Sequence, residues 1–270
     1  METIKPMLCA QYNQEMDIFP CYAQPKLDGI RCIAKLSGSK VLIYSRNGNP
    51  LHLPHLSREL FGLFGELPAT EFFDGELYVH GKSFQEVQSL VKRAGHRLQE
   101  SISYCIYDRK TKNPELSFVS RFCASGIAGK HIRKVETRFV KDQDEADQAH
   151  AYFVASGYEG TVYRVADCLY KEGKRSPDLL KRKDWQEDDF QVVNVTEGEG
   201  KNAGTAVFQC VSVANGKRFD VLSPGSYAEK KAYWGKRNQI LGKLLSVKYQ
   251  NLTDGGIPRF PVALGFKKDR

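Results

Sequence analysis

Short β-rich runs broken by glycine- and asparagine-containing turns dominate this chain, and their texture changes after Trp185. Cys32-Ile33-Ala34 and Val41 to Tyr44 flank Ser37-Gly38-Ser39, which reads as a hairpin. Asn47-Gly48-Asn49-Pro50 marks the next turn. Strands are predicted at 71–79, 101–107, 158–165 and 179–183. Helical patterns punctuate them. Leu56, Leu60, Phe61 and Phe64 have helical spacing, and 115–124 and 143–155 are predicted helices. Ser83 with Glu86 three residues on forms a capping box, followed by Phe84, Val87 and Val91 on one face. The pattern predicts an α+β fold with antiparallel sheets flanked by helices.

Beyond Trp185 the acidic cluster Glu187-Asp188-Asp189 interrupts the chain. Short strands follow at Phe190–Thr196, Thr205–Val213, Arg218–Leu222 and Leu245–Tyr249, with a helix-like stretch around Tyr227–Asn238. Short strands plus one helix in a segment of this length suit a small Greek-key barrel of the OB type. The expected domains are therefore 1–185 and 186–270.

Composition narrows the partners. The 270 residues are 41% hydrophobic and 27% charged, enough to bury a core, and carry a formal charge of +8. That balance favours a polyanion, of which nucleic acid is the commonest. The N-terminal stretch has no apolar run long enough for a signal peptide, and no segment approaches the length of a membrane span. Seven scattered cysteines with no close pair speak against a disulfide framework or a zinc site. The expectation is a reduced, cytoplasmic protein.

The chemistry concentrates at Lys26-Leu27-Asp28-Gly29-Ile30-Arg31. A lysine amine can attack phosphorus, a glycine lets backbone approach a ligand, and an arginine offers a planar fork of donors. Four later segments answer it: Asp74-Gly75-Glu76 and Tyr107-Asp108 at predicted strand ends, Glu159-Gly160, and Lys181-Arg182-Lys183. Lys181 and Lys183, two apart, point to one face of a strand. Taken singly, each has an ordinary reading as a turn, a bend or a solvated basic patch. Gly198-Glu199-Gly200-Lys201 lacks phosphate-loop spacing. His52 and His55 flank Pro54 with no third ligand and read as a loop. His80, His96, His131 and His150 join no cluster.

Together and in this order, these segments resemble the covalent nucleotidyltransferase superfamily, and within it a minimal two-domain ATP-dependent DNA ligase. The resemblance covers residues 24–270. Lys26-x-Asp-Gly-x-Arg31 matches motif I, Ser45-Arg46-Asn47-Gly48 motif Ia, Asp74-Gly75-Glu76 motif III, Tyr107-Asp108 motif IIIa, Glu159-Gly160 motif IV and Lys181-x-Lys183 motif V. It implies an adenylation domain followed by an OB-fold barrel. It also implies sealing of nicked duplex DNA by a monomer, with ATP as the source of an AMP carried covalently on Lys26. Lys181, Lys183 and Mg²⁺ would lower the Lys26 pKa, and the two lysines would contact the α-phosphate. Glu159 would hold Mg²⁺, Glu76 and Arg31 the ribose, Tyr107 the adenine face, and Gln24 the adenine edge. Arg46 would grip the 5′-phosphate of the nick.

The tail from Arg259 to Arg270 resembles motif VI, which closes over ATP. The family pattern ends R-x-D-K, whereas here Lys267 stands at the arginine position and Arg270 at the lysine position. Few residues precede Lys26, so no helical DNA-binding domain is expected there, and the barrel shows no long insertion that could encircle DNA. Three rivals remain open: an mRNA-capping guanylyltransferase, an RNA ligase, and a nucleic-acid-binding module with an inactive site.

Overall fold

In a computed structural model of the chain, which describes residues 4–93, 97–212 and 215–267, the turn at Gly38 closes a hairpin as its sequence predicts. Gly38 sits at φ +59°, a conformation that favours glycine. The chain separates into two compact units, 1–183 and 184–270.

The first unit contains β1 (Leu8–Gln11), β2 (Cys21–Lys26), β3 (Ile30–Ser37), β4 (Lys40–Ser45), β5 (Pro50–Leu51) and β6 (Thr70–Tyr78). It continues through β7 (Ser103–Thr111), β8 (Ile132–Lys134), β9 (Arg138–Val140), β10 (Gly160–Val165) and β11 (Arg175–Arg182). Its helices are α1 (Pro54–Glu66), α2 (Phe84–Lys92) and α3 (Gln143–Ala155). The strands form two sheets, ordered β1-β11-β10-β2-β9 and β5-β4-β3-β6-β7-β8. Pairing is antiparallel except for β1 with β11 and β7 with β8. Residues 27–29 carry the chain from one sheet to the other, so Lys26 sits at the crossing.

Apolar spacing explains the packing. α1 buries Leu56, Leu60, Leu63 and Phe64, and the Phe64 ring meets Phe73 of β6 at 4.7 Å. Phe61, expected on that stripe, is 49% exposed. Five residues beyond Leu56, it falls outside the i, i+4, i+7, i+8 stripe, and Leu63 takes the inward position. The Ser83–Glu86 capping box forms, and α2 buries Val87 and Leu90. α3 packs Ala146, Ala149 and Phe153 with Cys21, Ala23 and Tyr163 of the first sheet.

The predicted helix at 115–124 is instead a single π-type turn, Val119–Cys123. Phe118 and Phe122 are fully buried there, and Arg121 is drawn inward to Asp108. Two site segments also sit differently from expectation. Asp74-Gly75-Glu76 lies inside β6, at a slip in its ladder with β7, and Tyr107 lies inside β7. A Cβ on Gly75 would come within 2.6 Å of the Tyr104 ring, so glycine permits this close layering.

The second unit is an antiparallel sheet of β12 (Gln186–Glu197), β13 (Ala206–Val211), β14 (Arg218–Leu222), β15 (Leu244–Tyr249) and β16 (Val262–Phe266). Their order is β14-β13-β12-β15-β16, and edge strands β14 and β16 approach each other. Helix α4 (Tyr227–Gly235) sets Tyr233 against Phe208 and Phe266. The acidic cluster does not interrupt the chain. It lies in β12, where Tyr249 donates to Asp188 and Ser246 donates to Asp189 at 2.7 Å. The molecule is thus α+β, with a mixed two-sheet unit followed by an OB-like one. Among the described residues, no helix is long and apolar enough to cross a membrane.

Candidate active site

Strand pairing brings the reactive lysine to its partners across great sequence distance. Lys26, the last residue of β2, pairs with Gly160 of β10, and the Glu159 amide donates to the Lys26 carbonyl at 3.0 Å. The Lys26 ammonium then lies 2.5 Å from one Glu159 oxygen, while Lys183 donates to the other. Gly160 makes this possible. Its φ is +151°, and a Cβ there would sit 2.2 Å from the Arg182 carbonyl oxygen. Any other residue would push the end of β11, and Lys183 with it, away from Glu159.

The charges respond to one another. Burial would raise the Glu159 pKa, but Lys26 and Lys183 outweigh it and hold the carboxyl below its usual value. Burial would lower the Lys26 pKa, yet Glu159 and Glu76 together hold its ammonium above the usual value. Lys183 moves down instead, through burial and the charge of Lys26. The expectation that neighbouring lysines lower the Lys26 pKa is therefore corrected: the Glu159 carboxylate in direct contact outweighs them, and Lys183 is itself turned toward it.

A cavity of about 240 Å³ opens beside the lysine, lined by Lys26, Gln24, Arg31, Arg46, Glu76, Tyr107 and Lys181. The Tyr107 ring has the Arg31 guanidinium 5.7 Å and the Arg164 guanidinium 5.5 Å from its centroid. Arg31 is fixed by Asp74, through Nε at 3.0 Å and Nη2 at 2.6 Å. Glu76 has no hydrogen-bond donor among the described residues, and burial pushes its carboxyl up to about 8. Gln24 is buried and its side chain is fully engaged. Its amide donates to the Tyr107 carbonyl at 3.1 Å and Thr137 Oγ1 at 3.0 Å, and its oxygen accepts from Arg164 Nε at 2.7 Å. Arg46, on the turn after β4, is exposed at the rim.

Arg164 is a site residue that sequence reasoning missed. It anchors Gln24, lines the cavity, and donates through Nη1 to Asp108 at 2.8 Å. Asp108, fully buried, also accepts from Arg121 at 2.8 and 2.9 Å and from the Arg109 amide at 2.8 Å. The available signal was a lone charged residue inside the strand Gly160–Val165.

Other expected residues lie elsewhere. Lys267 belongs to the second unit, where its ammonium pairs with Asp189; Arg270 lies outside the described residues. His55 is not in a loop but in the first turn of α1, bonded to the Ile102 carbonyl. His131 pairs with Glu59 and His150 with Thr161, whereas His96 lies outside the described residues. No group of three or more metal-ligating side chains occurs among the described residues.

Residues 6–183 match the family described as ATP dependent DNA ligase domain, and residues 197–267 the DNA ligase OB-like domain. A DNA ligase of African swine fever virus (isolate Pig/Kenya/KEN-50/1950) is 30% identical over 290 residues, spanning 98% of this chain and 69% of the viral protein. Among solved structures, one named Pmar-Lig_Pre superposes with a TM-score of 0.85 at 24% identity, covering 99% of this chain and 68% of the other. A Lig E DNA ligase superposes with a TM-score of 0.77 at 22% identity, covering 97% of this chain and 99% of the other.

Proposed function

This chain belongs to the ATP-dependent DNA ligase family, and from that premise we propose which of its residues perform each step. It is an ATP-dependent ligase that uses ATP to seal nicks in duplex DNA through a lysyl-AMP intermediate. The observation that carries the assignment is the contact of Lys26 and Lys183 with the two oxygens of one carboxylate, beside a cavity that Lys26 and Tyr107 line.

In the reading we propose, the neutral Lys26 amine attacks the α-phosphorus of ATP. The bond to pyrophosphate breaks, pyrophosphate leaves, and AMP remains on Nζ. The proton to be lost is the one Glu159 now holds on the ammonium, so Lys26 becomes a nucleophile only when another cation answers Glu159. Lys183, already on that carboxylate, and Lys181 on the cavity wall place charge beside the α-phosphate. Tyr107 stacks on adenine. With its side chain engaged, Gln24 offers the adenine edge only its backbone. Arg31, oriented by Asp74, and Glu76 hold the ribose hydroxyls. The resemblance assigns Lys267, which pairs with Asp189 in its own unit, to ATP as well.

An ionised carboxylate with two oxygens is the hard donor Mg²⁺ takes, usually alongside waters and phosphate oxygens. Glu159 fits that role, and a bound divalent cation would add positive charge at the phosphate. Arg46 then grips the 5′-phosphate of the nick in bidentate fashion. That phosphate takes AMP from Lys26, the adjacent 3′-hydroxyl attacks it, and AMP leaves as the strand closes. We assign adenylation to residues 1–185 and the OB barrel to 186–270, in a monomeric cytoplasmic enzyme.

The test is labelling with ATP or GTP carrying a labelled α-phosphate. ATP should label the wild type and fail to label Lys26→Ala, which should still bind nicked DNA. Labelling by GTP alone, or undiminished sealing by Lys26→Ala, would overturn the assignment.

A further inference from the structure

A second cavity in the first unit, of about 420 Å³, shares Pro25 and Leu27 as walls with the nucleotide cavity. Strand register explains what lines it. Arg31 pairs with Glu76, Glu76 with Cys105, and Cys105 with Arg133. Paired residues on adjacent strands share a face, so these four form one row across β3, β6, β7 and β8. The row starts at the nucleotide cavity and ends at Arg133 on the second one. Tyr78, two residues beyond Glu76, lies on the same face.

Three rings, Tyr78, His80 and Tyr158, and one exposed cation stand among the lining. Tyr158 lies beside Tyr78 with ring centroids 6.2 Å apart and beside His80 at 5.2 Å, and the Tyr78 hydroxyl meets His80 Nδ1 at 3.0 Å. Arg133 is exposed, and no carboxylate among the described residues pairs with it. Glu136, the acidic residue lining the same cavity, is held by Arg138 at 2.5 Å. An unpaired guanidinium at the rim of an aromatic slot suits a nucleotide, with phosphate on the fork and sugar or base against the rings.

We propose that this cavity seats a nucleotide of the nicked strand next to the reacting end, with Arg133 binding its backbone phosphate. The argument rests on the ligase reading above. Once the nick's 5′-phosphate reaches the AMP on Lys26, the neighbouring nucleotides lie within one or two backbone repeats of that lysine. Pro25 and Leu27 flank Lys26, and their other wall belongs to this cavity. The nucleotide cavity is filled by AMP, which leaves this one for DNA.

The experiment separates the two cavities. Arg133→Ala should take label from ATP at the wild-type rate. Its affinity for nicked duplex should fall roughly tenfold at low salt, in line with loss of one charged hydrogen-bonding group. The slope of log affinity against log salt should shrink by about 1. Single neutral methylphosphonates placed near the nick should then reveal one position that weakens the wild type and is silent in Arg133→Ala. Unchanged nick affinity, no such position, or an equal loss of ATP labelling would each overturn the proposal. If the wild type took no label from ATP, the ligase reading would fail, while the binding and methylphosphonate arms would still decide the cavity.

Discussion

Asp108→Asn tests whether the buried arginine network both supports the first unit and shapes the adenine pocket. Asp108 is 0% exposed and accepts from Arg121, Arg164 and the Arg109 amide. The substitution keeps the shape and removes the charge, leaving two buried guanidiniums without a counter-ion. Breaking a buried pair in this way costs roughly 3–5 kcal/mol. In a unit of this size, 1 kcal/mol moves the midpoint by about 2–4 °C, so a fall of roughly 6–20 °C is expected. Urea denaturation followed by far-ultraviolet circular dichroism reads the free energy directly. A loss below about 1 kcal/mol would refute the reasoning, because it would mean the arginines find water or other partners. A triple variant, Asp108→Leu, Arg121→Met and Arg164→Met, should be less destabilised than Asp108→Asn, since the two guanidiniums paired with the carboxylate leave together with it and Arg109 keeps its bonds to Thr70 and the Arg121 carbonyl. It should still show a raised KM for ATP, because Gln24 has lost its tether to Arg164.

Three further outcomes follow from the site. Tyr107→Ala should weaken ATP use in lysyl-AMP formation by roughly 1–3 kcal/mol, the scale of base–aromatic stacking; an unchanged KM for ATP would count against stacking. Glu76, at about 8, keeps in the folded state a proton that the unfolded chain releases near the usual 4.5, so stability should fall as pH rises between those values. Glu76→Gln should flatten that slope in urea midpoints taken across the window, and an identical slope would refute it. Gly160→Ala should abolish ATP labelling and cost roughly 1–3 kcal/mol through strain at φ +151°; wild-type labelling would show that Lys183 need not stand where it does.

The sequence carried most of the local structure and the chemistry-bearing positions. The Gly38 hairpin, the Ser83–Glu86 cap and α3 rest on signals a few residues apart, which a linear reading captures. Motif order brought Lys26, Glu159 and Lys183 together as candidates. It could not show that the carboxylate would keep Lys26 protonated, because that depends on which charge makes direct contact. Arg164 escaped for the same reason: its partners Gln24 and Asp108 lie 140 and 56 residues away. The stretch 115–124 forms a single turn rather than the predicted helix, and the inward pull of Asp108 on Arg121 has no local signature. Short strands such as β8 and β9 owe their pairing to neighbours already in the sheets.

The crossing at residues 27–29 also sets an order of events during synthesis. Lys26 emerges from the ribosome before its carboxylate partner, which lies 133 residues later, and Lys183 comes later still. A nascent chain that has not reached β11 therefore carries Lys26 and its carboxylates but lacks Lys181 and Lys183, so one cavity wall and the second cation on Glu159 are missing. Chains fold from the N-terminus as they are made, yet this centre is completed by the last strand of its unit. Chemical competence arrives only when that unit is whole, so an interrupted or misfolded chain has no means of drawing on the cell's ATP.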